Sequence, residues 1–154
     1  MASTVTLFRN IVETATPFHR PVDVVLQRIK EGATKDLVKR IRAERNKTER
    51  NELKKGLPAI CFSGTFNKRN DKSLVEHSGL ICLDFDGYEK KKELISHKEN
   101  LTKDPYVYAA FVSPSGNGLK VLVRVPADPD NHVNYFNALQ KHFDSPHFDK
   151  TCKN

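Results

Sequence analysis

Two aspartates stand at the end of an apolar run in Leu80-Ile81-Cys82-Leu83-Asp84-Phe85-Asp86-Gly87. In a strand, side chains two apart share a face, so Asp84 and Asp86 project to one side and Phe85 to the other. Carboxylates that close repel each other unless a cation sits between them. A hard divalent ion with oxygen ligands, Mg²⁺ or Mn²⁺, answers that need. Two such ions can activate an attacking hydroxyl and neutralise the leaving group of a triphosphate. The plainer reading is a strand ending in a turn, where Asp and Gly are common. Two acids directly after an apolar run favour the metal.

A second candidate is Ser113-Pro114-Ser115-Gly116-Asn117-Gly118-Leu119-Lys120. Glycines let backbone N–H groups approach an anion, and the lysine that follows adds a point charge. Ser113, Ser115, Gly116, Asn117, Gly118 and Lys120 are therefore candidate phosphate-binding residues, although Ser-Gly-Asn-Gly also suits a plain hairpin turn. Near the end, Phe143-Asp144 and Phe148-Asp149 each set an aspartate after an apolar residue, and either could bring a third carboxylate. In Gly64-Thr65-Phe66-Asn67-Lys68-Arg69, Gly64 permits a tight turn while Lys68 and Arg69 offer phosphate donors.

The elements that must position these residues are legible from hydrophobic spacing. Residues 3–9 suit a short strand. Pro21 opens a helix carrying Val22, Val25, Leu26 and Ile29, and Gly32 closes it. Thr34 is placed to cap a second helix over 35–55, with Leu37, Val38 and Ile41 inward. Strands follow at 59–62 and 80–85, the latter apolar on both faces and so expected in the centre of a sheet. A helix is predicted over 89–103, strands over 107–112 and 119–125, and a helix over 131–143. Hairpins mixed with helices predict an α+β fold.

The chain has 154 residues, enough for one domain with its own core. Lys plus Arg number 26 against 19 acids, a net +7, which favours polyanionic partners. The stretch 35–55 carries nine Lys/Arg and four Asp/Glu, hence +5 of that surplus. Lys39 and Arg42 within it are candidate nucleic-acid contacts, although such a run is usually a solvated face laced with i,i+4 pairs. Three cysteines without metal-ligand spacing point to a reducing compartment, and six histidines form no zinc pattern. No apolar run reaches the ~20 residues of a membrane span, and MASTVTLF lacks a signal peptide's regions. A cytoplasmic protein with no membrane partner is expected.

The order Leu83-Asp84-Phe85-Asp86, then Ser113 through Lys120, then a late apolar-Asp resembles the three motifs of the archaeo-eukaryotic primase (primase-polymerase) superfamily. The likeness is greatest to its bacterial and phage branch, the VirE-type N-terminal domain. Lys54-Lys55-Gly56-Leu57-Pro58-Ala59-Ile60, Ser63-Gly64-Thr65-Phe66 and His77-Ser78-Gly79 resemble that branch too. The resemblance covers residues from about 50 onward. It implies catalytic metal, Mg²⁺ or Mn²⁺, on Asp84 and Asp86, and a phosphate contact at Gly118-Leu119-Lys120. There lysine replaces the family's histidine, keeping charge but losing a proton shuttle. The third acid maps onto Asp149, since Asp149-Lys150-Thr151-Cys152-Lys153-Asn154 resembles the start of that motif.

The fold implied is an RRM-like mixed or antiparallel sheet with packed helices and a small N-terminal αβ unit. One domain over 1–154 would then comprise an N-terminal αβ and basic helical part at about 1–57 and a metal-binding sheet core at 58–154. The activity implied is metal-dependent nucleotidyl transfer in the replication of phage or mobile-element DNA, in the cytoplasm of a bacterial or phage-infected cell. Its partners would be a DNA template, a nucleoside triphosphate and, in some members, a helicase.

Two other readings stay open. Asp84-Phe85-Asp86-Gly87 also resembles the first motif of haloacid-dehalogenase-like phosphatases, with Asp84 as nucleophile, Asp86 as acid-base partner, and Ser113 and Lys120 as later motifs. Tyr88 and the lack of a paired-Asp motif depart from that pattern. The third reading is a non-catalytic nucleic-acid-binding module.

Overall fold

The computed structural model describes residues 2–152, so Met1 and the terminal Lys153 and Asn154 lie outside the described residues. The chain is α+β, with small antiparallel sheets and five α-helices among the described residues. It divides into two compact units, one ending at Ser78 and the other beginning at Gly79.

In the first unit, β1 (Thr4–Phe8) lies between β2 (Phe18–Pro21) and β3 (Ala59–Cys61), antiparallel to both. Val5 and Phe8 are fully buried, and Thr6 Oγ1 satisfies the Phe66 N–H at 3.0 Å and pairs with His19 Nδ1 at 2.8 Å. Pro21, its φ already near a helical value, precedes α1 (Val22–Lys30), which buries Val22 and Val25. Gly32, at φ 75°, ends that helix in a conformation most side chains avoid.

The basic stretch predicted as one helix is two: α2 (Lys35–Ala43) and α3 (Lys47–Lys54). The break arises because Glu44 and Asn46 are extended, with the Asn46 side chain accepting from Glu49 N–H at 3.1 Å. That bond caps a new helix. Thr34 occupies the α2 cap position, but its side chain makes no capping bond. Strands β4 (Gly64–Phe66) and β5 (Leu74–His77) form a hairpin that the sequence did not signal. Gly64 is there for closeness and not for a turn, since a Cβ on it would lie 2.1 Å from the Glu76 carbonyl oxygen.

In the second unit, β6 (Leu80–Phe85), β7 (Val107–Val112) and β8 (Leu119–Arg124) form an antiparallel sheet in the order β6-β8-β7. One face carries Ile81, Leu83 and Phe85 beside Leu119, Val121 and Val123. It packs on Leu94 and Leu101 of α4 (Lys91–Leu101) and on Phe136 of α5 (His132–Phe143). Full burial of a side chain such as Phe85 or Phe136 stabilises the unit by roughly 1.5–3 kcal/mol.

The apolar run of β6 predicted a central strand, but the centre belongs to β8 and β6 lies at the end of the order. Its outer edge is instead covered by the C-terminal stretch. Asp86 N–H donates to His147 O and Asp149 N–H to Asp84 O, both at 2.8 Å. Phe148 thereby reaches Phe85 and Phe136, each with ring centroids 5.4 Å apart. Burial came from that cover and from the helices, and a buried edge strand reads like a central one. No helix among the described residues is long and apolar enough to cross a membrane.

Candidate functional site

Strand pairing sets Asp84 of β6 directly opposite Lys120 of β8. Cross-strand partners project to the same side of the sheet, so both charges rise from the face opposite Phe85 and Leu119. There Lys120 Nζ donates to Asp84 Oδ1 at 2.8 Å, with the side chains 34% and 17% exposed. Burial pulls the Lys120 pKa down, yet Cys82 and Asp84, the latter also through its hydrogen bond, hold it above the ordinary lysine value. The ammonium thus stays charged beside Asp84.

Residues 113–118 close the hairpin between β7 and β8, with Ser113 N–H donating to Gly118 O at 2.9 Å and Gly116 N–H to Ser113 O at 3.0 Å. Gly116 has φ 84°, which an L side chain would oppose. The loop is tied internally, because Ser115 Oγ donates to Asn117 Oδ1 at 2.8 Å and lies 3.2 Å from Ser113 Oγ. It is also tied to the acid strand's end, where Tyr88 N–H donates to Asn117 O at 3.1 Å. The decisive contact is at Gly118. A Cβ there would stand 2.7 Å from Asp86 Oδ1 and 2.8 Å from Phe85 O. The glycine-rich loop therefore lies against the exposed Asp86 carboxylate, and only a glycine permits the approach.

The C-terminal stretch brings Asp149 alongside Asp84 through the backbone bond already described. One Asp149 oxygen accepts from Thr151 N–H at 2.9 Å and from Thr151 Oγ1 at 2.6 Å. Two thiols flank the ion pair. Burial pushes Cys82 up to about 12 against the opposing pull of Lys120. Burial does the same to Cys152, with Asp84 adding to it.

Asp84, Asp86 and Asp149 supply hard oxygen donors of the kind Mg²⁺ accepts. Such an ion is commonly held by one or two carboxylates and completed by phosphate and water. Among the described residues no group of three or more His, Cys, Asp or Glu side chains is gathered as a ready-made cage.

A family model, BT4734-like, N-terminal domain, matches residues 52–149, well over half of the chain. The chain belongs to the BT4734-like N-terminal domain family. The matched span runs from α3 to Asp149 and so takes in both Asp84 and Asp86, the loop and Lys120. Neither the curated proteins nor the solved structures yield a significant match.

The other sequence candidates are dispersed, and Lys39 and Arg42 precede the matched BT4734-like span. Arg69 is a strut of the first unit, its Nη1 donating to Ile11 O at 2.7 Å and its N–H to Thr14 O at 2.9 Å. Lys68 beside it is exposed, as are Lys39 and Arg42 on α2. Asp144 ends α5 at φ 26° and lines a shallow depression with Gln140, Pro146 and Lys150.

Sequence reasoning missed a polar aromatic cluster next to Asp86. His147 Nδ1 donates to Asp86 O at 2.7 Å, and its ring stacks on Tyr88 at 4.0 Å. The Tyr88 hydroxyl bonds His97 Nδ1. Burial, reinforced by His147, lowers the His97 pKa. No spacing rule links positions 88, 97 and 147. The one local sign was a tyrosine immediately after Asp86-Gly87, where the phosphatase-like pattern has a smaller residue.

Proposed function

We propose that this domain is the core of a primase-polymerase-type nucleotidyltransferase acting on a DNA template with Mg²⁺ or Mn²⁺. The observation that carries the reading is the seating of Gly118 against the Asp86 carboxylate, with the Asp84–Lys120 pair two residues along the strands. Acids and a glycine-rich loop brought together are what a triphosphate needs: carboxylates for its metal, backbone and ammonium for its oxygens. The antiparallel β6-β8-β7 sheet accords with an RRM-like core. It argues against the phosphatase-like alternative, whose parallel sheet it does not resemble.

Asp84 and Asp86 would hold the ion, with Asp149 beside them. Bound there, the ion would activate the primer hydroxyl and neutralise the pyrophosphate leaving group. Lys120, released from Asp84 as positive charge arrives, would turn to the phosphates, which the backbone of 115–118 would cradle. Tyr88, stacked on His147, anchors the end of the acid strand to the loop through its N–H.

The test is incorporation of labelled nucleotide on a primed template with Mg²⁺ or Mn²⁺. Asp84→Ala and Asp86→Ala should each lower it roughly a hundredfold or more while circular dichroism stays native. Lys120→Ala should chiefly raise the apparent nucleotide KM. Full turnover in both aspartate variants refutes the assignment. Hydrolysis of a small phosphomonoester without incorporation would instead support the phosphatase. Nucleic-acid binding with neither activity would support a non-catalytic module.

A further inference from the structure

Charges three and four apart on a helix are neighbours, and opposite signs there stabilise an exposed helix. In α3 every such pair is of like sign: Lys47 with Arg50, Arg50 with Lys54, and Glu49 with Glu52. On α2, Lys35, Lys39 and Arg42 likewise run up one side at i, i+4 and i+7, opposite the half-buried Leu37 and the buried Ile41. Lys35 and Lys47 also open their helices, where the helix dipole disfavours a cation.

Little else offsets this. Helix α3 buries no residue and α2 buries only Ile41, so packing contributes modestly. Among the described residues, Lys35, Lys39, Lys47, Arg50 and Lys54 make no ion pair, and the pair in this region is Lys55–Glu52 at 2.7 Å. A polar helix laced with complementary pairs would explain itself as a solvated surface. In α3 the charges sort by sign instead, and in α2 a single acid, Asp36, at i,i+3 to Lys39 and i,i+4 to Arg40, stands against the four cations Lys35, Lys39, Arg40 and Arg42. A row of cations of this kind is matched best by a multivalent anion from outside the chain.

We propose that the basic stripes of α2 and α3 form a docking surface for the phosphate backbone of a nucleic acid. Neither helix carries an aromatic residue on which bases could stack, so contact is with phosphates and independent of sequence. The absence of aromatic and bulky apolar anchors beside the stripes disfavours a lipid surface. The surface lies in the first unit and does not depend on nucleotidyl transfer, Asp84 or metal.

The experiment is fluorescence anisotropy of the full chain with a labelled mixed-sequence DNA duplex in EDTA, titrated at several salt concentrations. A variant carrying Lys35→Gln, Lys39→Gln, Lys47→Gln, Arg50→Gln and Lys54→Gln should bind roughly tenfold or more weakly. Its plot of log affinity against log salt should be shallower by about 0.9 for each phosphate that the variant no longer neutralises. Changing the four lysines to arginine should preserve affinity and slope, which separates charge from folding. A scrambled duplex should bind equally.

Wild-type affinity and salt slope in the glutamine variant overturn the proposal. So does a glutamine variant that no longer binds phosphatidylserine vesicles but keeps its DNA binding intact. Failure of the aspartate variants to affect incorporation would leave this surface untouched, and the reverse also holds.

Discussion

The β6–β8 face and the α2–α3 pair are both charged, but they settle their charge in opposite ways. On the sheet, Asp84 meets Lys120 across one strand pair at 2.8 Å, and both are largely shielded. On the helices, like charges stand in file, exposed at Lys35, Lys39, Arg42 and Lys47 and half-buried at Arg50 and Lys54. A buried charge must find a partner within the chain, since desolvation leaves it no other. An exposed one can await a partner from outside, at a cost of tenths of a kcal/mol per pair. The sheet therefore holds its partner within the chain, while the helices leave room for one from outside.

The largest effect expected from breaking this contrast is at Gly118. Gly118→Ala drives a methyl into Asp86 Oδ1 and the Phe85 carbonyl, and should cost about 1–3 kcal/mol in urea unfolding. Wild-type stability would mean that the loop is not seated on the acids. Next comes the ion pair. A double-mutant cycle of Asp84→Asn and Lys120→Met should give a coupling of roughly 1 kcal/mol, between exposed and buried pairs. A coupling near zero would equate the sheet with the helix surface.

The third effect concerns pH. Burial holds His97 below its ordinary 6.5, so the native state binds fewer protons than the unfolded chain just below that value. Stability is complete above about 6.5 and declines as pH falls through the depressed folded value. The Tm of the wild type should drop as pH falls below about 6.5, and His97→Gln should flatten that drop. The smallest effect is at Arg50, where Arg50→Gln removes two like-charge neighbours and should stabilise the chain by about 0.2–0.5 kcal/mol. A destabilised variant instead would show that Arg50 has a stabilising partner.

Elements with strong periodicity were readable in advance. The apolar run of 80–85, the strand pattern of 119–125 and the helical spacing of 131–143 correspond to β6, β8 and α5. What escaped were features set by distant partners. The pairing of β4 with β5 depends on Gly64 fitting against Glu76, and the outer position of β6 depends on residues some 60 positions later. The α2–α3 break had a local sign in Asn46, a good cap residue, but basic helix formers on both sides masked it. In the candidate site, the juxtaposition of Asp84 with Lys120 and of Asp86 with Gly118 follows from strand pairing, whose register the hydrophobic pattern largely dictates. The stacking of His147 on Tyr88 depends on where the last residues fold back, which no pattern in the sequence encodes.

The way residues 147–149 fasten onto β6 carries a consequence for handling the molecule. They occupy backbone groups that would otherwise offer a template to any passing extended chain, and Phe148 plugs the gap beneath. A version shortened to Phe143 would retain its helices yet expose a sticky border, and should self-associate more readily than the full chain.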